Sequence, residues 1–284
     1  MILAYVDVRP ILFILGVLVL LLVVYIFCRI KKKKDKLLLV GKDYLVSQKP
    51  FRINWDSKQK LGWTDIDHAL NMDSYYASEA YDSHKVKQNS LRDWVYKTVQ
   101  QWMFRYKWRK INQKSNRMIS THLDYGGGTG GFSTFTQKKG IRTTIVENSS
   151  SVLTQLKKEG HHAYGSLKDI GSDKKFDLIT LWHVLEHLPN PKETIKNLKG
   201  RLNAKGLLVL AVPNLNSFDA SYYQEFWAGY DLPRHLWHFS NKGLQKIIEN
   251  SEGARTTPSM IGITAVSYTH LRAHETPEHL GCRL

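Results

Sequence analysis

The chain has 284 residues, enough for one sizeable domain and additional segments. Its 41 Lys and Arg outweigh 25 Asp and Glu to give a net charge of +16, which points to nucleic acid, an anionic membrane, or the cytoplasmic side of a membrane protein. Two cysteines, Cys28 and Cys282, with no C-x-x-C pair, exclude a disulfide scaffold and a cysteine metal site.

Residues 11–28 are an unbroken apolar run, about the length that spans a bilayer as a helix. Arg29 and Lys31, Lys32, Lys33 and Lys34 follow directly. A secretory signal places its charges before the apolar core and a cleavage site after it. The reversed order predicts a membrane anchor over residues 1–30, with a short N-terminus outside and the remainder in the cytoplasm. A buried core helix is the alternative.

Residues 31–115 read as a basic juxtamembrane and cover-helix region. Weak strand alternation runs over 42–53, and 55–71 mixes turn formers with aromatics. Within 91–111, Leu91, Trp94, Val95, Val99, Trp102, Met103 and Tyr106 recur at helical spacing and predict one apolar face. Lys97, Arg105, Lys107, Arg109 and Lys110 load much of the rest with positive charge. Such a helix suits packing over a domain with a solvated basic face, lying at a membrane interface, or, least favoured, stacking on single-stranded nucleic acid.

From 116 to 265 the pattern alternates strand and helix. Strands are expected at 119–123, 143–146, 162–164, 178–181, 207–212 and 259–263, and helices at 132–139, 149–159, 192–202 and 241–250. This predicts an α/β fold: a doubly wound, mostly parallel sheet covered on both faces, with ligands at the carboxyl ends of the strands. The first strand runs into Asp124, Tyr125, Gly126, Gly127, Gly128, Thr129, Gly130 and Gly131, a turn suited to a ligand that must touch backbone. Gly126, Gly128 and Gly131 satisfy the dinucleotide spacing, while Gly126, Gly128 and Gly130 satisfy the methyltransferase spacing. Glu147 ends the second strand about twenty residues on, where a carboxylate accepts both hydroxyls of a ribose.

Residues 176–191, FDLITLWHVLEHLPNP, are a strand entering a short helix that Pro189 and Pro191 stop. With Asp124, Glu147, residues 206–214 (GLLVLAVPN) and residues 230–240 (YDLPRHLWHFS), this block resembles the class I S-adenosylmethionine-dependent methyltransferases, in particular the bacterial group with W-H-V-L-E-H-L-P after its fourth strand. The resemblance covers about half the chain and implies a Rossmann-like sheet and S-adenosylmethionine as cofactor. It implies that Gly126, Gly128 and Gly130 approach the methionine and ribose of the cofactor, that Asp124 anchors its amino-acid end directly or through water, and that Glu147 holds the ribose hydroxyls. Ser166 and Leu167 would flank the adenine, with Asp169 as the nearest acidic residue, and Trp182 and His183 would line the pocket.

An acceptor hydroxyl or amine must lose a proton, and histidine suits that task. His235 and His238 are the candidate bases, with Asp231 and Arg234 beside them for an anionic substrate. The same side chains could instead pin the loop that carries them. His183, Glu186 and His187 match the inverted zinc-protease pattern, but Pro189 leaves too little helix, so no metal is expected and Glu186 and His187 are read as closing the turn. An NAD-dependent reductase and an inactive tethered interaction module remain as rivals. The expected acceptor is a small molecule, a lipid or an envelope precursor, met at the cytoplasmic membrane face. Nucleic acid is not expected as a partner.

Residues 266–276 match the translation of a transposase sequencing-library adapter, and 266–284 is set aside as a non-native tail. On that expectation the natural chain continues past Ala265, and the final antiparallel strand implied by the resemblance lies there.

Overall fold

Short apolar runs separated by amphipathic helices order the chain into β1 (Lys36–Lys42), β2 (Pro50–Asp56), β3 (Leu61–Thr64), α1 (Asp73–Tyr76), α2 (Leu91–Lys114), β4 (Thr121–Tyr125), α3 (Gly131–Gln137), β5 (Arg142–Val146), α4 (Ser150–Lys158) and β6 (His162–Tyr164). There follow β7 (Phe176–Trp182), α5 (Pro191–Lys199), β8 (Leu202–Pro213), α6 (Phe218–Tyr223), β9 (Trp237–Phe239), α7 (Asn241–Glu249) and β10 (Ser259–Ala265). This computed structural model describes residues 36–67, 70–76, 91–115, 117–251 and 259–265. The expected anchor at 11–28 and the adapter-like tail at 266–284 lie outside the described residues. Among the described residues no helix is long and apolar enough to cross a membrane.

The larger sheet has six strands in the order β10-β8-β7-β4-β5-β6, every pair parallel. The chain builds outward from β4 through β5 to β6, then returns to β7 on the other side of β4 and builds outward again. The order therefore reverses between β4 and β7, and the carboxyl ends at that reversal are where a ligand crevice opens. These six strands agree with the sequence expectation.

Strand alternation sorts the core between the two faces. Leu207 and Val209 of β8 join Phe104 and Ile111 of α2 and Phe132 and Phe135 of α3. Leu208, Leu210 and Val212 pack with Ile195 and Leu198 of α5 and Leu244, Ile247 and Ile248 of α7. At roughly 1.5–3 kcal/mol for each large aliphatic side chain buried, these two layers carry most of the fold's stability.

α2 covers the sheet, but not with the face expected from its apolar count. Phe104, Lys107 and Ile111 are buried, while Trp94, Val95, Trp102 and Tyr106 are exposed. Apolar residues occupy both sides of this helix, and the i, i+3, i+7 set of Phe104, Lys107 and Ile111 won the contact.

A second sheet, β1-β2-β3-β9, escaped the sequence reading. β3 pairs antiparallel with β2 and with β9, setting Leu61 opposite Phe239, Gly62 opposite His238 and Trp63 opposite Trp237. Residues before 116, expected as a region apart, are thus hydrogen-bonded to a strand near the end of the 116–265 segment.

Candidate active site

At the reversal point the glycine turn leaves β4 and hooks onto β5, where Gly126 N–H donates to Val146 O at 2.7 Å. Gly126, Gly128 and Gly130 have φ of +70°, +52° and +76°, a region where a side chain is strained. A Cβ on Gly126 would lie 2.4 Å from Val184, and one on Gly130 2.8 Å from Leu156. A Cβ on Gly128 would meet nothing within 4 Å, so this glycine alone borders open space. Bare main chain bordering open space is what a cofactor's close approach needs.

Glu147 closes the other side. Its Oε2 accepts from Gly128 N–H and its Oε1 from Ser149 N–H, each at 3.0 Å. A carboxylate has about four lone-pair sites, so it retains capacity for the paired hydroxyls of a ribose. Turn and carboxylate, found separately in the sequence, are in direct contact.

Asp124 departs from expectation. Its side chain is buried, with Oδ2 accepting from Ser133 Oγ and Oδ1 from Thr180 Oγ1, both at 2.7 Å. It fastens β4 to α3 and β7 and so shapes the turn, with no direct reach to a ligand's amino-acid end. His122, which the sequence did not single out, extends this network. Its Nε2 lies 2.8 Å from Thr180 Oγ1, and because that hydroxyl donates to Asp124, Nε2 is the donor. Burial pushes the His122 pKa down to about 4, against the opposing charge of Asp124.

Ser166 and Leu167 lie just past β6, at the same carboxyl edge. Ser166 Oγ accepts from Lys168 N–H at 3.1 Å, while Asp169 Oδ2 accepts from Ser166 N–H at 2.8 Å. This reciprocal cap fixes the turn and engages the one acidic residue considered for the adenine. Leu167 packs against the core.

Trp182 ends β7 and stands edge-on to Phe132, ring centroids 5.3 Å apart. Lys107 of α2, expected on a solvated face, is buried with Nζ 4.2 Å from the Trp182 ring. His183 follows with φ +56°, unusual for a residue with a side chain. Its Nδ1 is 3.4 Å from Glu186 Oε1.

Glu186 is fully buried, and among the described residues its carboxylate has no hydrogen-bond donor, with His183 Nδ1 at 3.4 Å and His235 Nε2 at 4.0 Å. His187 ties its turn to other segments: its Nδ1 lies 3.0 Å from Arg234 O in the 230–240 loop and 3.2 Å from Tyr76 Oη of α1. The His187 and His235 rings stand edge to face at 4.6 Å. One ligating atom each from Glu186, His187 and His235 falls within 4.8 Å of the others, a donor set suited to a divalent cation where none was expected.

The 230–240 loop corrects the expected catalytic and substrate roles. Arg234 is 1% exposed, with Nε and Nη2 donating to Asp231 Oδ1 at 3.1 and 2.8 Å and Nη2 3.5 Å from Asp43 Oδ1. Enclosed between two carboxylates, the guanidinium cannot clamp a substrate, and Asp231 is spent on it. Burial works to raise the Asp43 pKa, but hydrogen bonds from Ser47 and Leu45 and the Arg234 charge hold it below the usual range. His238 Nε2 lies 2.9 Å from Thr64 Oγ1, which itself donates to His235 O at 2.6 Å, so Nε2 carries the proton. Burial pushes the His238 pKa down to about 3. His235 is equally enclosed, with Nδ1 2.9 Å from Gly229 O and Nε2 3.7 Å from Asp231 Oδ2. Neither histidine reaches the crevice as a base; both pin the loop, as the alternative reading held. Asp43, which follows β1 and faces Arg234, and Thr64 of β3, which binds His238, carried no signal in the sequence.

A family model described as a methyltransferase domain matches residues 99–252. A Ubiquinone biosynthesis O-methyltransferase of Rickettsia felis is 26% identical over 99 residues, a match covering 32% of this chain and 41% of that protein. The chain therefore spans less than half the length of this curated relative. Among solved structures, a SAM-dependent methyltransferase from Archaeoglobus fulgidus is similar at 21% identity and a TM-score of 0.45, covering 65% of this chain and 89% of the other. The plantazolicin methyltransferase in complex with SAH is similar at 17% identity and a TM-score of 0.45, covering 63% and 69%.

Proposed function

Since the chain belongs to the family of methyltransferase domains, we propose that it transfers a methyl group from S-adenosylmethionine to a hydroxyl or amine of a lipid, small-molecule or envelope-precursor acceptor at the cytoplasmic membrane face. The observation that carries the cofactor side is the contact between Gly128 N–H and Glu147, beside the one glycine of the turn that borders open space. Gly126, Gly128 and Gly130 would lie along the methionine and ribose, Glu147 would take the ribose hydroxyls, and Ser166, Leu167, Trp182 and His183 would complete the walls. The cofactor supplies an electrophilic methyl carbon on a sulfonium.

An acceptor oxygen or nitrogen would have to be held in line with that methyl carbon and its sulfur, and would give up a proton on methylation. The protein's task is to hold the two reactants in line, an effect that can supply about 7–11 kcal/mol of the barrier without a base. Burial of His235 and His238 supports that division of labour. The apolar run at 11–28 and the quinone-pathway name of the Rickettsia felis relative support a lipid-like acceptor.

Calorimetric titration of the full chain with S-adenosylmethionine, S-adenosylhomocysteine and NAD tests the cofactor, with binding expected for the first two alone. Methyl-label transfer into membrane extracts tests the acceptor. Label recovered only in soluble small molecules would end the lipid proposal.

A further inference from the structure

Five large aromatic side chains, four within 218–226 and Tyr44 beside Phe226, have no place in the core. Phe218 is 75% exposed, Tyr222 67% and Phe226 66%, with Tyr223 and Tyr44 also exposed. Their rings form two contact sets, Phe218 to Tyr222 at 5.8 Å with Tyr222 to Tyr223 at 5.0 Å, and Tyr44 to Phe226 at 6.2 Å, Phe226 following Tyr223 by three residues. Leu37, Leu38 and Val40 of β1, the outer strand of the small sheet, and Val46 after it are exposed as well. An exposed apolar surface of this kind marks a contact with something other than water.

We propose that this face rests in the interfacial layer of an anionic lipid bilayer, so that the enzyme lies against the membrane rather than hanging from its anchor. The proposal deepens the function given above and rests on it and on the anchor expected at 11–28. Chain length argues for it: from Cys28 to Leu37 a fully extended chain reaches only about 30 Å, so β1 stays within that distance of the bilayer. Residue type argues for it too, because aromatic rings prefer headgroup depth. The face carries Asp219 and Glu225, so attraction to anionic lipid falls to Arg29, Lys31, Lys32, Lys33 and Lys34 just before β1 and to Lys42, whose Nζ is 5.8 Å from the Tyr44 ring. α6 follows directly from the carboxyl end of β8, on the edge of the sheet where the glycine turn also lies. A bilayer under this face would put a lipid-borne acceptor next to the crevice.

The test uses the full chain, with Cys28→Ser and Cys282→Ser, in vesicles of phosphatidylcholine and phosphatidylglycerol. An environment-sensitive fluorophore is attached through Tyr222→Cys or Phe226→Cys, with Lys138→Cys, exposed beyond the end of α3, as the reference. Lipids brominated on the acyl chains should quench the labels at 222 and 226 several-fold more than the label at 138. Equal quenching at all three positions overturns the proposal. So does protection at 222 and 226 that persists in detergent and rises with protein concentration, which would give this face, or the β1 edge, to a second copy. A Phe218→Ser, Tyr222→Ser, Phe226→Ser variant should keep its calorimetric affinity for S-adenosylmethionine and lose transfer into membrane extracts several-fold. Loss of cofactor binding in the unsubstituted protein would instead sink the methyltransferase function, and the quenching result would still be decided by lipid alone.

Discussion

Glu147 Oε2 accepts the backbone N–H of Gly128 at 3.0 Å, joining the end of β5 to the middle of the turn after β4. The carboxylate that shapes the turn is thus the same one proposed to hold the ribose. Replacing Glu147 with Gln keeps a hydrogen-bonding group but removes the charge, and hydrogen bonds to charged groups are worth about 1.5–3 kcal/mol. Calorimetry should show roughly 10- to 100-fold weaker S-adenosylmethionine binding. An unchanged affinity would remove Glu147 from the cofactor site.

Two glycines of the same turn should fail differently. Gly128→Ala adds a methyl group that meets nothing, so only the left-handed backbone costs stability, about 1–2 kcal/mol. Gly130→Ala carries that cost and also sets Cβ 2.8 Å from Leu156, which is fully buried, adding about 1–3 kcal/mol of overpacking. Urea unfolding should rank Gly130→Ala clearly below Gly128→Ala in stability. Cofactor affinity, measured on folded protein, should suffer in Gly128→Ala. The reverse ranking in unfolding would mean the turn is built otherwise.

Arg234 lies buried against Asp231 and Asp43. Arg234→Ala strands two buried carboxylates and should cost about 3–5 kcal/mol. Whatever folded enzyme remains should keep its KM for an anionic acceptor, because the guanidinium does not touch substrate. A raised KM in a stable Arg234→Ala protein would restore the binding role.

Acid should destabilise the fold well above the carboxylate range. Burial holds His238 at about 3 and His122 at about 4, against an ordinary 6.5. Between those values the unfolded chain binds protons that the folded chain refuses, so stability is full above about pH 6.5 and falls as the pH drops toward 4. Each histidine should remove about 2 kcal/mol by pH 5. Asp43 and Asp177, whose folded pKa values are lowered, add their losses only below about 3.8. Urea midpoints that stay level from pH 6.5 to 4.5 would show that these rings are not shut away from water.

The parallel sheet was legible because its signals are local. A run such as Phe176–Trp182 is apolar throughout, and the turn at Gly126, Gly128 and Gly130 with Glu147 needs only nearby residues to be recognised. What escaped depends on distant pairing. Trp63 finds Trp237 across most of the catalytic domain, and neither flanking segment announces a strand alone. The polar loop misled for the same reason. Asp231, Arg234, His235 and His238 look catalytic in a linear sequence, and only Asp43 after β1 and Thr64 of β3 show that they are buried ties. On α2, Trp94, Val95, Trp102 and Tyr106 outnumbered Phe104, Lys107 and Ile111, the residues that pack, because composition cannot tell a face meant for the core from one meant for another surface.

The pairing of β3 with β9 sets a limit on trimming the molecule. A recombinant version cut back to the matched residues 99–252 would discard β1, β2 and β3. β9 would be left with a raw edge, His238 without the Thr64 hydroxyl, and Arg234 with one counter-ion fewer. Such a fragment should recognise the donor poorly and stick to itself, and the remedy is to begin upstream of residue 36 rather than to screen for solubilising tags.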